Sequence, residues 1–522
     1  MTLFSRFFKD IPLNWHLPGR RAGRLAAVAG SALVLAACGG DGAVAPAQAC
    51  AQQVNDTEDK LLACVTLDGV LAHLREFDRI AKANGGHRAA GSAGYEASGA
   101  YAEKVLRDAG YVVTRSEFGF VRFDDLGGSV LRQMAPLPGA DFAHEVMPYS
   151  GSGDVTASVT ALAGPGCAAA DFAGFPAGNI VLIERGGCDF SQKASLALAA
   201  GAAGVVVYNN AEGPVHGSLG EGFTADLPVL EVSQAVGRQL AGTPGLALRM
   251  AATTRRERGT TFNVLAESRA GDPDHVVMAG AHLDSVLDGP GINDNGSGSA
   301  AILETAVQMA RVTPRHKVRF ALWGAEEIGI LGATDYVERL EPDALAKIAL
   351  YLNFDMIASP NAGYFIYDGD DSDGIGEGPG PEGAGAIEKF FEAFYAARGK
   401  AFKGTDFDGR SDYGPFIRQG IPAGGIFSGG EDIKTADDAA RWGGTAGIAF
   451  DPCYHAACDG LANLDLAVLD LNSDAVAAAT LRYANDLGGI RGASAARPLQ
   501  SVRAAAYTPP SDIRPRHLPA LK

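Results

Sequence analysis

The sequence lacks a basic stripe and has no surplus of positive charge. Its 522 residues carry a formal net charge of −17 at pH 7. Proteins that bind nucleic acids neutralise phosphates with clustered Lys and Arg side chains, and polybasic segments hold proteins on anionic lipid by the same attraction. The composition therefore predicts no nucleic-acid partner and no electrostatic attachment to a membrane surface.

A long apolar run is also absent. The apolar stretch at 25–37 is too short to span a bilayer, and it follows a segment with several basic residues, which is the order of an export signal. The stretch leads into Leu35-Ala36-Ala37-Cys38-Gly39, which resembles a bacterial lipobox, where Cys38 would become the lipid-bearing N-terminus. We therefore predict a lipoprotein signal peptide over 1–37 and a tether over 38–59.

Two other export routes stay open. An ordinary secretory signal could be cleaved nearby, and Arg20-Arg21 allows a twin-arginine route, although its flanks fit that route poorly. On the lipobox interpretation the protein is exported and touches the cell envelope through its lipid anchor only, facing the periplasm or the exterior. Gly39 rather than Asp after Cys38 favours the outer membrane.

Closely spaced thiolate pairs are missing as well. No two of the seven cysteines have C-x-x-C spacing, which argues against a thiolate zinc site or thioredoxin chemistry. Six cysteines remain once Cys38 is set aside, and they fall into three sequence-local pairs, as expected for disulfides in an oxidising compartment. Fifteen pairings are conceivable, and the simplest joins Cys50 to Cys64, Cys167 to Cys188 and Cys453 to Cys458.

The chain is too long for one typical core, so we expect more than one domain. Helical apolar spacing at 67–83 and 94–110 indicates the start of an α/β domain. The alternation of predicted helices and strands stops near residue 136 and resumes after Phe262. The stretch between is rich in Val, Ala and Gly with short predicted strands. We predict catalytic segments at 60–135 and 259–490, an inserted domain at 136–258, and an extended tail at 491–522.

The inserted stretch contains a recognisable segment. Residues 179–211 have the pattern strand, Cys turn, helix, strand, and they resemble the protease-associated (PA) domain, a β-rich module found inserted in several peptidase families. The likeness depends on Gly187-Cys188-x-Phe190-x-x-Lys193-Ala194 and on Gly201-Ala202-x-Gly204-Val205. Nothing in the module has a catalytic pattern. A lid, a substrate or partner surface, and a purely structural insertion are all open interpretations.

Ligand-type residues follow several predicted strands of the α/β domain. The strand at 276–281 leads into His282 and Asp284, and Asp294 follows a Gly/Pro turn. Ligands in open α/β sheets lie beyond the carboxyl ends of the strands. Glu326 and Glu327 follow the predicted strand at 318–323, and Asp355 follows the one at 349–354. A short loop bounded by two cysteines offers His455.

Five of these residues form a candidate ligand set for metal. Two imidazoles and three carboxylates suit a pair of Zn²⁺ ions, provided that one Asp bridges and each ion keeps room for water. Adjacent glutamates cannot both take the same role, so one of Glu326 and Glu327 would bind metal while the other faces the substrate. The five candidates are His282, Asp294, Glu327, Asp355 and His455.

Several long motifs resemble the M28 family of zinc aminopeptidases, especially its bacterial secreted, leucyl-aminopeptidase-like branch. They span residues 280–459 and comprise GAHLDS, GINDNGSG, WGAEEIGILG, NFDMIASPN, GRSDYGPF and DPCYHAACD. The resemblance implies an α/β fold with a mixed, mainly parallel central sheet and helices on both faces. It also implies that His282 and Asp355 hold one zinc, that Glu327 and His455 hold the other, and that Asp294 bridges.

The same resemblance implies the remaining roles. Glu326 would be the general base, Asp284 would orient His282, and Tyr454 would stabilise the oxyanion. Gly409-Arg410 would lie at the rim of the substrate pocket, although simple salt pairing is an open alternative for Arg410. The implied activity is removal of N-terminal, large apolar residues such as Leu from peptides with a free N-terminus, by a metal-activated water.

The same scaffold also supports other functions. Glutamate carboxypeptidases combine a related domain with a PA module, but need basic residues for a C-terminal carboxylate; this is the main alternative. Glutaminyl cyclases use a single zinc, and receptors on this scaffold have lost ligands, whereas the five-ligand set is complete. The acidic loop at 368–373 fails the EF-hand pattern, because Asp373 replaces Gly and Pro379 replaces Glu. A solvated loop is the favoured interpretation, and Ca²⁺ elsewhere stays an open addition.

Overall fold

The computed structural model describes residues 50, 52–210, 215, 217–376 and 378–490. The predicted signal peptide, the lipidation site at Cys38 and the tail at 491–522 lie outside the described residues, as does part of the tether. Within the described ranges, no helix is both long and apolar enough to cross a membrane.

Helices and strands alternate through most of the chain. The helices are α1 Glu58–Leu62, α2 Leu67–Ala83, α3 Ala93–Asp108, α4 Phe190–Ala199, α5 Gln234–Ala241, α6 Gly298–Met309, α7 Leu331–Arg339, α8 Pro342–Ala346, α9 Ala384–Ala397, α10 Gly414–Arg418, α11 Ala436–Trp442 and α12 Leu466–Asn485. The strands are β1 Val112–Asp125, β2 Val130–Ala135, β3 Glu145–Val146, β4 Gly153–Ala161, β5 Ile180–Glu184, β6 Gly204–Tyr208, β7 Val229–Val232, β8 Ala247–Ala252, β9 Thr254–Glu267, β10 Asp272–His282, β11 His316–Trp323, β12 Ile348–Phe354, β13 Phe365–Tyr367, β14 Lys403–Thr405 and β15 Ala423–Phe427.

The larger sheet has eight strands in the order β1-β9-β11-β10-β12-β15-β13-β14. Its centre is parallel, since β10 pairs in parallel with β11 and β12, and β12 with β15. Antiparallel pairs flank it at β1–β9, β9–β11 and β13–β15. The sheet is therefore mixed and mainly parallel at its core, as the sequence predicts.

Both faces of this sheet are covered by helices. Along β10, Val277 and Ala279 join one buried cluster while Val276 and Met278 join another, because successive side chains of a strand point to opposite faces. The first cluster also holds residues of α2, α3, α6, α9 and α12, and the second holds residues of α7 and α10. Burial on both faces explains why the central strands are continuous apolar runs rather than alternating ones.

The second sheet has seven strands in the order β2-β8-β4-β5-β6-β7-β3 and its own apolar core. The predicted strand, Cys turn, helix and strand of the PA-like segment are β5, α4 and β6, and β5 pairs in parallel with β6. Strand β2, at 130–135, lies in this sheet. The insertion limits at 136 and 258 stay a prediction, and the place of β2 favours an earlier start.

The two sheets are linked by one long antiparallel pair. β1 pairs with β9 along its whole length, from Val112 opposite Glu267 to Asp125 opposite Thr254. The chain therefore enters and leaves the smaller module at neighbouring points, as domain insertion requires. Three disulfides join Cys50 to Cys64, Cys167 to Cys188 and Cys453 to Cys458, which is the simplest of the pairings considered.

Candidate active site

The candidate ligands gather at the carboxyl edge of the larger sheet. His282 is the last residue of β10, Asp355 follows β12 directly, and Glu326 and Glu327 follow β11 after a short turn. Neighbouring parallel strands end at the same edge, so residues far apart in sequence meet there. His455 reaches the same edge from the loop closed by Cys453–Cys458.

Asp294 lies between two histidines. Its Oδ1 is 3.2 Å from Nε2 of His282, and its Oδ2 is 3.1 Å from Nε2 of His455. Burial opposes ionisation of Asp294, but its close contacts with the two imidazoles outweigh burial and lower its pKa. Each oxygen of one carboxylate thus faces a different imidazole.

One further carboxylate accompanies each histidine. Oδ1 of Asp355 is 3.4 Å from Nε2 of His282, and Oε2 of Glu327 is 3.0 Å from Nε2 of His455. The five predicted ligands therefore form two groups of three that share Asp294. Ser411 Oγ donates to Oδ2 of Asp355 at 2.7 Å and fixes that side chain from behind.

Three atoms of this set are buried without a hydrogen-bond partner among the described residues: His282 Nε2, Asp355 Oδ1 and Glu327 Oε1. The carboxylate oxygens of Asp294 and Asp355 lie 3.2 and 3.4 Å from His282 Nε2. Unpartnered buried polar atoms are costly, and imidazole and carboxylate together are a normal zinc donor set. The residues present therefore fit divalent metal.

Glu326 faces the group around His282 rather than the one around His455. Its Oε2 is 3.9 Å from Nε2 of His282, whereas its neighbour Glu327 contacts His455. Burial raises the pKa of Glu326 well above its usual range; His282 opposes this rise, and the nearby carboxylates Asp355 and Asp412 add to it. A carboxyl group with a raised pKa is suited to accept and release a proton.

Asp284 lies beside His282 and beside the turn that carries the two glutamates. Its carboxylate is 3.7 Å from Nδ1 of His282, whose hydrogen-bond partner at 3.2 Å is the backbone oxygen of Asp284. The carboxylate oxygens accept the backbone N–H groups of Glu326 and Glu327, at 3.2 and 3.4 Å. Asp284 thus contacts His282 through its backbone and holds the turn that carries both glutamates. Burial raises its pKa to about 7.

Tyr454 and Arg410 lie beside His455. The Tyr454 ring stacks on the His455 ring with centroids 3.9 Å apart, and burial raises the pKa of the phenol. Arg410 donates to Glu431 at 2.8 Å, so the salt-paired alternative describes its contacts. Gly409 has φ 77°, and its N–H donates to the hydroxyl of Tyr413.

Left-handed backbone is concentrated at the ligand positions. Among the described residues, six other than glycine have clearly positive φ, and three of them are Ala325 before Glu326, Met356 after Asp355, and His455 itself. Such conformations cost free energy and persist only where the surroundings impose them. They aim side chains that regular strands could not bring together, and no residue pattern in the sequence indicates them.

Two buried residues beneath the site were not predicted. Arg88 is fully buried, and its guanidinium donates to the backbone oxygens of Leu283, Pro290 and Gly291. Asp459 accepts the backbone N–H groups of Asn293 and Asp294, at 2.8 and 3.0 Å. Both residues hold ligand-bearing loops through contacts with distant parts of the chain. Asp459 ends the motif that contains His455, and this position is the one sign of its role in the sequence. Arg88 follows a glycine pair, and the sequence carries no comparable sign of its role.

An open apolar pocket adjoins the ligand set. Glu327 and Asp284 form part of its wall, and Tyr149 of the smaller module contributes to it as well. Neither Gly409 nor Arg410 is among its lining residues. Most of the wall is carbon, including Ala89, Ala90, Phe120, Phe123, Val286, Leu287 and Ile328.

The acidic loop at 368–373 is tied into the fold by its own backbone. Asp368 accepts the N–H groups of Ser372 and Asp373, and Glu388 accepts those of Gly369 and Asp370. Asp368, Asp370 and Glu388 bring ligand atoms within 4.8 Å of one another. Because these carboxylates already hold hydrogen bonds, or a bridge to Lys389 in the case of Asp370, calcium stays a prediction.

The chain is similar to aminopeptidases from several organisms. Residues 263–480 match peptidase family M28, and residues 153–240 match the PA domain. An aminopeptidase of Pseudomonas aeruginosa is 46% identical over 80% of this chain and 81% of its own length. A probable lipoprotein aminopeptidase of Mycobacterium tuberculosis is 44% identical over 82% of this chain and 87% of its own, and a probable leucine aminopeptidase 2 of Aspergillus fumigatus is 44% identical over 69% and 72%.

Solved structures show the same fold. An aminopeptidase from Aneurinibacillus sp. strain AM-1 has a TM-score of 0.69 at 25% identity and covers 82% of this chain and 96% of its own. A zinc aminopeptidase from Bacillus subtilis has a TM-score of 0.58 at 24% identity, with 79% and 94% covered. This chain therefore belongs to peptidase family M28, as an aminopeptidase that carries a PA domain.

Proposed function

We propose that the protein is a dinuclear zinc aminopeptidase that removes large apolar N-terminal residues from peptides. The observation that carries this proposal is the position of Asp294, whose two oxygens face His282 and His455 separately. His282, Asp294 and Asp355 would hold one ion, and His455, Asp294 and Glu327 would hold the other.

The chain's own residues supply the proton transfers. When bound, the zinc ions would polarise the scissile carbonyl and lower the pKa of the attacking water. Glu326 takes the proton of that water and passes it to the leaving amine. The hydroxyl of Tyr454 donates to the oxyanion as it forms. Asp284 keeps Glu326 and Glu327 in place by accepting both of their backbone N–H groups.

Substrate preference follows from charge and from the cavity beside Glu327. A free α-amino group is cationic, and five carboxyl groups surround the predicted metal site, namely Asp284, Asp294, Glu326, Glu327 and Asp355. The pocket beside Glu327 is lined mainly by carbon, which favours an apolar side chain of the substrate. The names of the fungal relatives as leucine aminopeptidases support the same preference.

The proposed location is the outside of the cell membrane, on a lipid carried by Cys38. Three disulfides support an oxidising compartment. The M. tuberculosis relative, whose name describes a lipoprotein, supports the anchor. The segments 60–135 and 259–490 are proposed to form the catalytic domain, with the PA domain inserted between them.

Aminopeptidase action and the zinc bridge can be tested together. Leu-anilide should be hydrolysed and acetyl-Leu-anilide should not, because acetylation removes the cationic amine. Asp294→Ala should reduce zinc content at both sites and abolish hydrolysis of Leu-anilide. The matched control is Asp343→Ala, an exposed aspartate in α8. Undiminished zinc in Asp294→Ala would refute the bridge, and equal hydrolysis of both anilides would refute the requirement for a free N-terminus.

A further inference from the structure

A second group of metal-ligand residues lies at the other edge of the larger sheet. Asp272, His275 and His316 each place one ligand atom within 4.8 Å of the other two. Asp272 is the first residue of β10, and His316 is the first residue of β11. Two imidazoles and one carboxylate are a donor set that suits zinc and similar divalent transition ions. This group is not among the residues that we assign to catalysis.

An irregularity in β10 brings the three residues together. Asp272 pairs with His316 in the parallel ladder, but the register shifts between Asp272 and Val276. The extra residues turn His275 back, so that its Nδ1 lies 2.8 Å from Oδ2 of Asp272. The rings of His275 and His316 pack edge to face with centroids 5.6 Å apart. A regular strand would have sent His275 away from its neighbour.

His316 supplies an independent indication of a ligand. The residue is only 8% exposed, and its Nδ1 is buried with no hydrogen-bond partner among the described residues. A buried imidazole with an unused nitrogen is costly unless something binds it.

The other two residues are partly exposed and contact each other: Asp272 accepts the N–H of Asp274 at 3.0 Å, and its Oδ2 lies 2.8 Å from Nδ1 of His275. The side chains of Asp272 and His275 are 43% and 39% exposed. Ligand atoms around a tetrahedral zinc ion are about 3.3 Å apart, given zinc–ligand distances of about 2.0–2.2 Å. Small rotations of these two half-exposed side chains would bring all three atoms to that spacing, and solvent would supply the fourth ligand.

The group is remote from the candidate active site. β10 runs from Asp272 to His282, and ten residues of strand span about 30 Å. The two sites therefore share no ligand. We infer that Asp272, His275 and His316 form a separate binding site for a divalent transition ion, with zinc as the first choice, which joins the starts of β10 and β11.

The test compares metal content at a fixed free zinc concentration in the low micromolar range. The full chain and its His275→Asn variant are dialysed to equilibrium and analysed for zinc. The side chain of His275 is partly exposed, so its replacement should not prevent folding. Asp272→Asn is the second variant. Each variant should bind one zinc ion fewer than the wild type, while kcat/KM for Leu-anilide stays within about twofold.

The matched control is His144→Asn. Among the described residues, His144 belongs to no candidate ligand group, and its ring contacts the backbone oxygen of Phe142 and the hydroxyl of Ser129. Its loss should therefore leave the zinc content unchanged. The inference is overturned if His275→Asn and Asp272→Asn hold as much zinc as the wild type. The number of catalytic ions does not enter the comparison, because only the difference between variant and wild type is read.

Discussion

Glu326 and Glu327 are adjacent and chemically identical, yet they lie in different surroundings. Glu327 is 3.0 Å from Nε2 of His455, and Glu326 is 3.9 Å from Nε2 of His282. One atom of Glu327 is buried without a hydrogen-bond partner among the described residues, as expected for a metal ligand. The pair therefore offers a matched test in which only position differs.

Glu326→Gln should reduce kcat without emptying the metal site. Glutamine keeps the size and hydrogen bonding of the side chain but cannot accept the proton, and loss of a general base typically costs about 10²- to 10⁴-fold in rate. We expect kcat for Leu-anilide to fall by that order while zinc content stays at the wild-type value. Measurement of both quantities on one preparation makes the test.

Glu327→Gln is the matched partner and should act through metal affinity. Loss of a charged ligand weakens the binding of one zinc ion, so the zinc content should fall. Added zinc should then restore part of the activity. The assignment is wrong if the two variants behave in the opposite way, with zinc lost from Glu326→Gln and kept in Glu327→Gln.

Single residues could be assigned from the sequence where a strand end or a motif marked them. The structure brings His282, Asp294, Glu327, Asp355 and His455 together, as predicted. It also shows that the carboxylate of Asp284 contacts the turn after β11, since backbone N–H groups leave no mark in a sequence. Arg88 was missed for the same reason, because its partners are backbone oxygens about 200 residues away.

At the scale of elements, apolar spacing predicted strands and helices better than their ends. Helix α2 has the predicted limits, and α3 ends two residues before the predicted Gly110. Strand β10 starts four residues before the predicted 276, because its first residues are polar and include the register shift. Apolar periodicity reports burial, so it cannot detect strand residues that pair without being buried.

Strand β7 carries an acidic residue within the core of the PA domain. Glu231 lies between Leu230 and Val232, is 4% exposed, and accepts the N–H of Gly217 at 2.9 Å. Burial raises its pKa to about 8, the Gly217 N–H opposes that rise, and the neighbouring Glu145 adds to it. The folded protein therefore holds a proton at Glu231 that the unfolded chain releases near pH 4.3.

This proton makes the stability of the PA domain depend on pH. Between about pH 4.3 and pH 8 the folded state binds more protons at Glu231, so the free energy of unfolding falls as pH rises, by up to about 1.4 kcal/mol per pH unit. The stabilisation that this group contributes is fully present below about pH 4.3 and is lost above about pH 8. Glu231→Gln should remove the dependence, so its Tm advantage over wild type should grow from pH 5 to pH 8.

The control for this prediction is Glu184→Gln, which changes an exposed glutamate on β5 of the same sheet. Its Tm should follow the wild type across the same pH range. A Tm difference between Glu231→Gln and wild type that stays constant with pH would show that Glu231 is ionised in the folded protein.

At the scale of the whole molecule, the sequence indicates two domains through a change in composition and in the pattern of predicted helices and strands. It could not indicate how they join, because the pairing of β1 with β9 connects residues more than a hundred positions apart. The structure shows that this pair carries the chain into and out of the module that holds the smaller sheet, and that Tyr149 lines the apolar pocket beside Glu327.

The anchor is the remaining prediction at this scale. Cys38 follows the apolar stretch at 25–37 in a lipobox-like sequence, and the described part of the chain has no helix able to cross a membrane. On the lipobox prediction, membrane association depends on the lipid at Cys38. Cys38→Ser should either release the enzyme into the soluble fraction with full activity per molecule or stall its processing, as fractionation and N-terminal sequencing would detect.

Cys50→Ser is the matched control for the anchor, because it removes a cysteine only twelve positions later that pairs with Cys64 instead of carrying lipid. This variant loses a disulfide that closes a short loop at the start of the fold, which should lower Tm by a few degrees. It should still fractionate with membranes, since its Cys38 is intact. A wild-type protein that is soluble and begins at a residue other than Cys38 would refute the lipobox and favour an ordinary secretory signal.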